Sequence, residues 1–99
     1  MPAYSVGRHA ESDLKSIARY TLKTWGIAQA ARYLEEMEKC FQLLADQPGI
    51  GRKCDSIHPG LRRFEHRSHV VFYLPQEDGV LIVRVLHEHM IPFQSRFDS

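Results

Sequence analysis

The chain has 99 residues, of which 43% are hydrophobic and 25% are charged, and its formal net charge at pH 7 is +1. This length is that of one globular domain, so we expect a single domain over residues 1–99 and no second core. The near-neutral charge makes no case for direct nucleic-acid binding, and the apolar runs fall far short of the roughly 20 residues that span a bilayer.

The first half of the chain carries the patterns of one short strand followed by two helices. Residues 4–6 predict a strand, and apolar side chains then recur with a helical period over residues 10–25. Gly26 can adopt the left-handed conformation that ends a helix. A second helical repeat covers residues 27–44 and is stopped by the Pro48-Gly49 pair. Two amphipathic helices joined by about two residues predict an antiparallel helical hairpin.

The second half of the chain has the pattern of a loop and three strands. Residues 49–60 are rich in glycine and poor in apolar side chains, which predicts the loop. Strand patterns follow over residues 61–65, 69–74 and 80–86, with the turn signal Asp78-Gly79 between the last two. This order predicts an α+β fold, β-α-α-β-β-β, in which the helical hairpin packs on a small antiparallel sheet.

The last strand predicts which side chains meet the hairpin. Successive side chains of a strand alternate between its two faces, so Leu81, Val83 and Val85 should share one face, which His87 continues. We expect this face to contact the helices. The opposite face contains Arg84 between two apolar residues, and we expect it to be open to a partner or to solvent.

Two aromatic residues of the first helix, Tyr20 and Trp25, admit two roles. Aromatic side chains dominate interface energetics, so both could anchor a partner. For Trp25 we favour a structural role, in which the indole locks the helical hairpin to the sheet.

Cysteine usage and the N-terminal sequence both point to the cytoplasm. Cys40 and Cys54 could form a disulfide, but we expect two reduced thiols. The first residues lack the basic-then-apolar order of a secretion signal. We therefore expect a cytoplasmic protein, and nothing in the sequence calls for a cofactor.

An ordered set of residues between about positions 4 and 90 resembles the ParE branch of the RelE/ParE toxin family. The set consists of Ala10, Asp13, Leu14, Ile17, Tyr20, Trp25, Gly26, Ala30, Tyr33, Leu44, Ala45, Pro48, Gly51, Arg52, Gly60, Leu61, Arg62, the run from His69 to Tyr73, the run from Arg84 to His87, and Met90. The resemblance implies the fold described above and a toxin of a type II toxin–antitoxin system. Such a toxin would inhibit DNA gyrase by protein–protein binding and arrest growth. A ParD-like antitoxin would neutralise it in a hetero-oligomer, and DNA would be contacted only through the antitoxin.

With this family in view, the sequence predicts two binding surfaces, no catalytic site and no metal site. The target-binding surface is assigned to the last strand and the tail: Arg84, His87, Met90, Phe93 and Phe97. The antitoxin-binding surface is assigned to the second helix and to the basic segment after the loop: Tyr33, Cys40, Arg62, Arg63 and Arg67. A solvated basic face is the alternative role for the three arginines.

Other functions stay open at this point. A ribosome-dependent mRNA endonuclease of the RelE type needs an acid, a base and cations around the phosphate. No tyrosine follows Met90, where RelE-like enzymes usually have a tyrosine or a histidine. The residues that could still form such a set are Arg62, Arg84, His87 and His89. A degenerate toxin that only binds its antitoxin is a third possibility. For the histidines we expect hydrogen bonding at a strand end and pH-sensitive charge rather than a metal site.

Overall fold

The computed structural model describes residues 2–91, so the predicted target-binding residues Phe93 and Phe97 lie outside the described residues. The helices are α1 (Arg8–Trp25) and α2 (Ile27–Asp46). The strands are β1 (Ala3–Val6), β2 (Arg52–Lys53), β3 (Arg62–His66), β4 (His69–Gln76) and β5 (Gly79–His87). Two short 3₁₀ helices complete the elements of residues 2–91, the loop turn (Pro48–Ile50) and the C-terminal turn (Glu88–Met90).

The described residues form one five-stranded sheet in the order β1-β5-β4-β3-β2. The predicted α+β arrangement, a strand and a helical hairpin followed by an antiparallel meander, is confirmed. Two details differ from the prediction. The sheet is mixed, because β1 pairs in parallel with β5, and the predicted loop contains the short strand β2, which pairs with β3.

A single glycine joins the two helices. Gly26 has a φ of 93°, a conformation that L side chains rarely adopt. Its N–H donates to the carbonyl of Leu22 at the end of α1, while its own carbonyl accepts from Ala30 in α2. The hairpin is therefore tighter than the predicted two-residue connection, and the glycine serves both helices at once.

The helices cover one face of the sheet and leave a smaller apolar cluster on the other. In β4 the two clusters alternate, since Val71 and Tyr73 face the helices while Val70 and Phe72 face away. The larger cluster is completed by residues of α1, α2 and β5: Ala10, Met37, Cys40, Phe41, Leu44, Ala45, Val80, Ile82 and Val85. Cys40 belongs to this cluster and Cys54 to the other, so the sheet separates the two thiols, in agreement with the predicted reduced state.

A β-bulge changes which residues of β5 meet the hairpin. Phe72 is opposite Arg84 and Tyr73 is opposite Ile82, which leaves Val83 as the extra residue of β5. The alternation of side chains is therefore shifted by one position, and Val83 packs with the cluster on the far face. The prediction that Leu81 and Val83 contact the hairpin is wrong, whereas Val85 does contact it.

The expected structural role of Trp25 is wrong as well. The indole is the last side chain of α1, beside the Gly26 hinge, and 69% of it is exposed. Ile27, on the other side of the hinge, is 78% exposed. The hairpin is held to the sheet by side chains nearer its middle, and its hinge end presents apolar surface to solvent.

Candidate functional site

A cavity lies between the helical hairpin and the adjoining ends of β4 and β5. Its volume is about 830 Å³, and we call it the hairpin groove. The residues that matter below line it from five elements: Tyr20 and Trp25 of α1, Tyr33 of α2, His69 of β4, His87 of β5, and Met90 of the C-terminal turn. Tyr20, Trp25 and Met90 are all more than half exposed, so the groove presents aromatic and apolar side chains among the polar and charged residues that line it.

An ion pair between α1 and β5 fixes one side of the groove. Asp13 accepts hydrogen bonds from Nε of Arg84 at 2.8 Å, from Nη2 of Arg84 at 2.9 Å, and from the backbone N–H of Val85 at 2.9 Å. The last of these donors lies next to the β-bulge, so Asp13 satisfies a backbone group where the strand ladder is disrupted. Burial alone would raise the pKa of Asp13, but the hydrogen bonds from Arg84 and Val85 and the guanidinium charge outweigh it and lower the pKa.

Three histidines contact one another at the other side, and we call them the histidine row: His69 and His87, which line the groove, and His89 next to them. The rings of His69 and His87 meet edge to face with centroids 5.4 Å apart. The rings of His87 and His89 are stacked, with centroids 4.7 Å apart and planes 19° apart. Nδ1 of His69 is hydrogen-bonded to the hydroxyl of Tyr33. The row thus connects α2, β4, β5 and the C-terminal turn.

Two histidines near the groove favour the neutral form. Burial lowers the pKa of His69, and the neighbouring His87 and His66 lower it further. Burial also lowers the pKa of His66, in the same direction as the charge of Arg67. Arg67 itself lies in the turn between β3 and β4 and reaches Glu36 of α2 at 2.9 Å.

The structure brings only some of the predicted binding residues together. Tyr33 and Arg67, predicted for the antitoxin, and His87 and Met90, predicted for the target, all line the hairpin groove. Arg84 lies just behind it, with its guanidinium held by Asp13. One groove therefore unites parts of two surfaces that the sequence treated as separate.

The remaining predicted antitoxin residues point elsewhere. Cys40 is 5% exposed within the core under the helices. Arg63 is 3% exposed, with its guanidinium carbon 5.7 Å from the centre of the Phe72 ring. Arg62 donates to the carbonyls of Gly49 and Gly51, at 3.3 and 2.6 Å. Arg62, Arg63 and Arg67 consequently do not form one basic patch.

Sequence reasoning missed His69 as a central residue of the groove. The chain offered no simple signal, because counting back from the turn with regular pairing places His69 opposite Leu86, and the extra residue at Val83 brings it opposite His87 instead. It also missed Asp13 as the partner of Arg84, for which the chain offered no local signal, since the two residues are 71 positions apart. Within residues 2–91, no group of three or more potential ligands is placed to hold a metal ion.

Comparison with known proteins gives a consistent result. A family model described as "ParE toxin of type II toxin-antitoxin system, parDE" matches residues 4–92. The chain is 39% identical over 90 residues to Toxin ParE1 of Caulobacter vibrioides, which covers 91% of this chain and 93% of that relative. It is 38% identical over 91 residues to Toxin ParE of Escherichia coli, which covers 91% of this chain and 88% of that relative.

A solved structure has the same fold. A chain from a structure described as "Chromosomal ParDE TA system from P. aeruginosa" superposes with a TM-score of 0.71 at 19% sequence identity. The match covers 88% of this chain and 96% of that one. Over the part of the chain that the structure describes, neither helix is long and apolar enough to cross a membrane.

Proposed function

The chain belongs to the ParE toxin family of type II toxin–antitoxin systems, and from this premise we propose that a ParD-like antitoxin neutralises it by occupying the hairpin groove. The free chain then inhibits DNA gyrase in the cytoplasm by protein–protein binding, without a catalytic step. The observation that carries the proposal is the exposure of two large aromatic side chains at the groove, Tyr20 at 67% and Trp25 at 69%.

Exposed aromatic side chains in a groove favour a peptide partner. Burying such side chains is a main source of binding free energy, and contiguous apolar surface on a small domain marks an interaction site. Met90, 64% exposed on the facing side, gives the groove a second apolar wall. An amphipathic antitoxin segment laid between these walls would bury spaced apolar side chains on both sides.

A shared groove also offers a reason for neutralisation. His87 and Met90, which we assign to gyrase, line the same groove as Tyr33, which we assign to the antitoxin. An antitoxin segment in the groove would cover the residues that gyrase needs, so the two partners would compete. Arg84 would act behind this surface through its ion pair with Asp13. The roles of Phe93 and Phe97 stay predictions.

The rival function, an mRNA endonuclease, receives less support from the geometry. Its four candidate residues were Arg62, Arg84, His87 and His89. The guanidinium of Arg62 bonds to the loop after α2, and that of Arg84 bonds to Asp13. Of the four residues, only His87 and His89 contact each other. Arg62 and Arg84, the cations that would neutralise a phosphate, are engaged by other groups of the protein.

The antitoxin part of the proposal is tested by co-purification. The chain is expressed with the product of the neighbouring open reading frame that encodes a ParD-like protein, and the complex is isolated through a tag on that protein. We expect a stable hetero-oligomer, and we expect the Trp25→Ala chain to be recovered in much lower yield. Recovery that Trp25→Ala leaves unchanged would contradict the groove as the antitoxin site.

The gyrase part is tested with purified gyrase in a supercoiling assay. The chain is separated from its antitoxin in denaturant, refolded and added in a concentration series. We expect loss of supercoiling that the antitoxin reverses. Full supercoiling with no trapped cleavage complex would contradict the proposal, and codon-phased cuts in translated messages, read by primer extension, would favour the endonuclease instead.

A further inference from the structure

A row of basic side chains runs along the outer face of α1, and we call it the basic stripe: Arg8, Lys15, Arg19 and Lys23. Their spacing along the chain places all four on one side of the helix, within about 80° of its circumference. All four side chains are exposed. At a rise of about 1.5 Å per residue, the stripe is about 22 Å long. The net charge of +1 therefore conceals a concentrated positive surface.

The basic stripe has little compensating charge. Lys15 lies 3.9 Å from the carboxylate of Glu11, and both side chains are largely exposed. Such a surface pair contributes little to stability and leaves the cation accessible. Within residues 2–91, the other three cations of the stripe make no ion pair and no side-chain hydrogen bond. These three charges are therefore available to an anionic partner.

The outer face of α2 carries both signs of charge instead. Its exposed side chains include Arg32, Glu35, Glu38 and Lys39, so cations and carboxylates are interspersed there. The basic stripe is therefore a feature of α1 and not of the whole hairpin. The stripe also lies outside the lining of the hairpin groove. An antitoxin segment bound in the groove would consequently leave the stripe exposed.

The composition of the stripe favours a nucleic acid over a folded protein as its partner. From Arg8 to Arg19 every fully exposed side chain of α1 is polar, and the hydroxyl of Ser12 lies among the cations. Protein–protein interfaces need a core of apolar or aromatic side chains, which this part of the helix does not present. Protein–DNA interfaces are more polar and more positive, and cations and hydroxyls bind the phosphate oxygens there.

Duplex DNA matches the stripe in shape as well as in charge. The stripe is a row on one continuous helix, and duplex DNA is a stiff rod that presents about 13 phosphates over about 22 Å of its axis. Along α1, Lys15, Arg19 and Lys23 follow one another at intervals of about 6 Å, so each can bind a different phosphate.

We propose that the basic stripe of α1 binds the phosphate backbone of duplex DNA without reading its base sequence. This contact goes beyond the proposed function, and it departs from the sequence-based expectation that DNA is contacted only through the antitoxin. Binding of this kind releases the counterions of the phosphates, so its affinity falls steeply as the salt concentration rises.

The salt dependence of binding tests the proposal on the full chain alone. The chain is separated from its antitoxin and refolded, because the antitoxin is itself expected to contact DNA. A fluorescein-labelled duplex of arbitrary sequence is titrated by anisotropy at several NaCl concentrations. Four phosphate contacts give a slope of about −3.6 in log K against log salt, which is a loss of about 150-fold in affinity between 50 and 200 mM NaCl. A duplex of unrelated sequence should bind equally well.

Two matched double variants separate the stripe from the net charge. Lys15→Gln with Lys23→Gln removes two cations of the stripe, whereas Lys39→Gln with Lys53→Gln removes two exposed lysines of α2 and β2. Both double variants have the same net charge, and equal urea midpoints will show that both are folded. The stripe variant should bind more weakly, with a slope reduced in magnitude by about 1.8. The control variant should keep the wild-type slope.

Four results would overturn the proposal. The first is no binding at 50 mM NaCl with about 100 μM chain, the weak limit of non-specific DNA affinity. The second is an equal loss in the two double variants, which would trace binding to net charge. The third is displacement of the duplex by poly-glutamate as effectively as by unlabelled duplex, which would assign the stripe to an acidic polypeptide. The fourth is stronger displacement by single-stranded RNA. Gyrase inhibition and antitoxin binding are measured separately, so none of these results decides the proposed function.

Discussion

The loop after α2 and the hairpin groove are held in different ways, as the hydrogen bonds of two tyrosine hydroxyls show. The hydroxyl of Tyr73 is buried, accepts from the N–H of Gly51 at 2.9 Å and donates to the carbonyl of Pro48 at 2.7 Å. The hydroxyl of Tyr33 is hydrogen-bonded to a histidine at the groove. Backbone partners do not titrate, so the two hydrogen bonds of Tyr73 do not weaken in acid, whereas the hydrogen bond of Tyr33 depends on the protonation state of its histidine partner.

The comparison indicates that the loop around Tyr73 contributes to the stability of the fold, whereas the hairpin groove leaves apolar side chains unburied. The Tyr73 hydroxyl makes both of its hydrogen bonds to backbone groups of the protein, and the ring packs in the main core. At the groove, Trp25 and Met90 remain largely exposed. Changes at the loop should therefore lower the free energy of unfolding, whereas changes at the groove should alter binding and leave stability nearly unchanged.

The largest effect is expected for Gly51→Ala. A Cβ at this position would lie 2.4 Å from the Tyr73 hydroxyl and 2.8 Å from the carbonyl oxygen of Arg63. The loop must move and the hydroxyl must lose its bond to the Gly51 N–H, so we expect a loss of about 3 kcal/mol in the free energy of unfolding, measured by urea denaturation. Gly49→Ala is the control, since its Cβ would meet nothing within 4 Å. Equal stabilities of the two variants would show that the loop is not anchored as described.

Next in size is the effect of Trp25→Ala, on binding rather than on folding. A buried aromatic anchor typically contributes about 2 kcal/mol or more, so we expect antitoxin affinity, measured by calorimetry, to fall at least about thirtyfold. The free energy of unfolding should change by less than about 0.5 kcal/mol, because the side chain is exposed. Leu22→Ala serves as the control, since this half-exposed residue of α1 does not line the groove. A loss of stability with unchanged affinity would reverse the roles assigned to the two regions.

A smaller effect is expected for Asp13→Asn. The amide keeps one acceptor for the Val85 N–H but loses the charge that holds Arg84, so we expect a loss of about 1.5 kcal/mol at pH 7 after allowing for the partly exposed arginine. The pKa of Asp13 is lowered in the folded chain, so its contribution is present above the unfolded value near pH 3.9 and is lost as the pH falls further. The variant and wild type should therefore converge in acid. Glu11→Gln, at an exposed pair with Lys15, is the control and should change almost nothing. A difference that does not decrease as the pH falls below about 3.9 would rule out the ion pair as its source.

The smallest effect is expected from acid on the histidines near the groove. The pKa values of His66 and His69 are lowered on folding, so the folded chain favours the neutral rings. Their contribution is complete above the unfolded value near pH 6.5 and is lost as the pH falls below it. The urea midpoint should therefore drop slightly between pH 7 and 5.5, and less in His69→Gln than in wild type. A midpoint that rises over this range would contradict the lowered pKa values of His66 and His69.

Sequence reasoning reached the fold because the fold depends on local patterns. The helical periods and the Asp78-Gly79 turn act over short stretches, and they predicted both helices, the hairpin and three strands correctly. The face of β5 was predicted incorrectly because one extra residue at Val83 inverts the alternation. The local sequence does not predict this bulge, because the N–H of Val85 beside it donates to Asp13, a residue of the first helix.

The groove was harder to predict for the same reason. Tyr33, His69 and His87 come from three elements, and their proximity depends on the hairpin angle and on the strand register together. Trp25 was assigned to the interior because apolar periodicity does not distinguish the core-facing middle of a helix from its free end. The arginines at positions 62, 63 and 67 were grouped by sequence distance, although adjacent strand residues point to opposite faces.

Hydrogen exchange of the chain with and without the co-purified antitoxin tests the central claim most directly, because it compares the groove and the loop in one experiment. The account predicts slower exchange in the segments that line the groove, residues 16–36 and 87–91, and no change in residues 48–54 around the Tyr73 anchor. Protection confined to the loop and to the β2 edge, with the groove segments exchanging as in the free chain, would contradict the account.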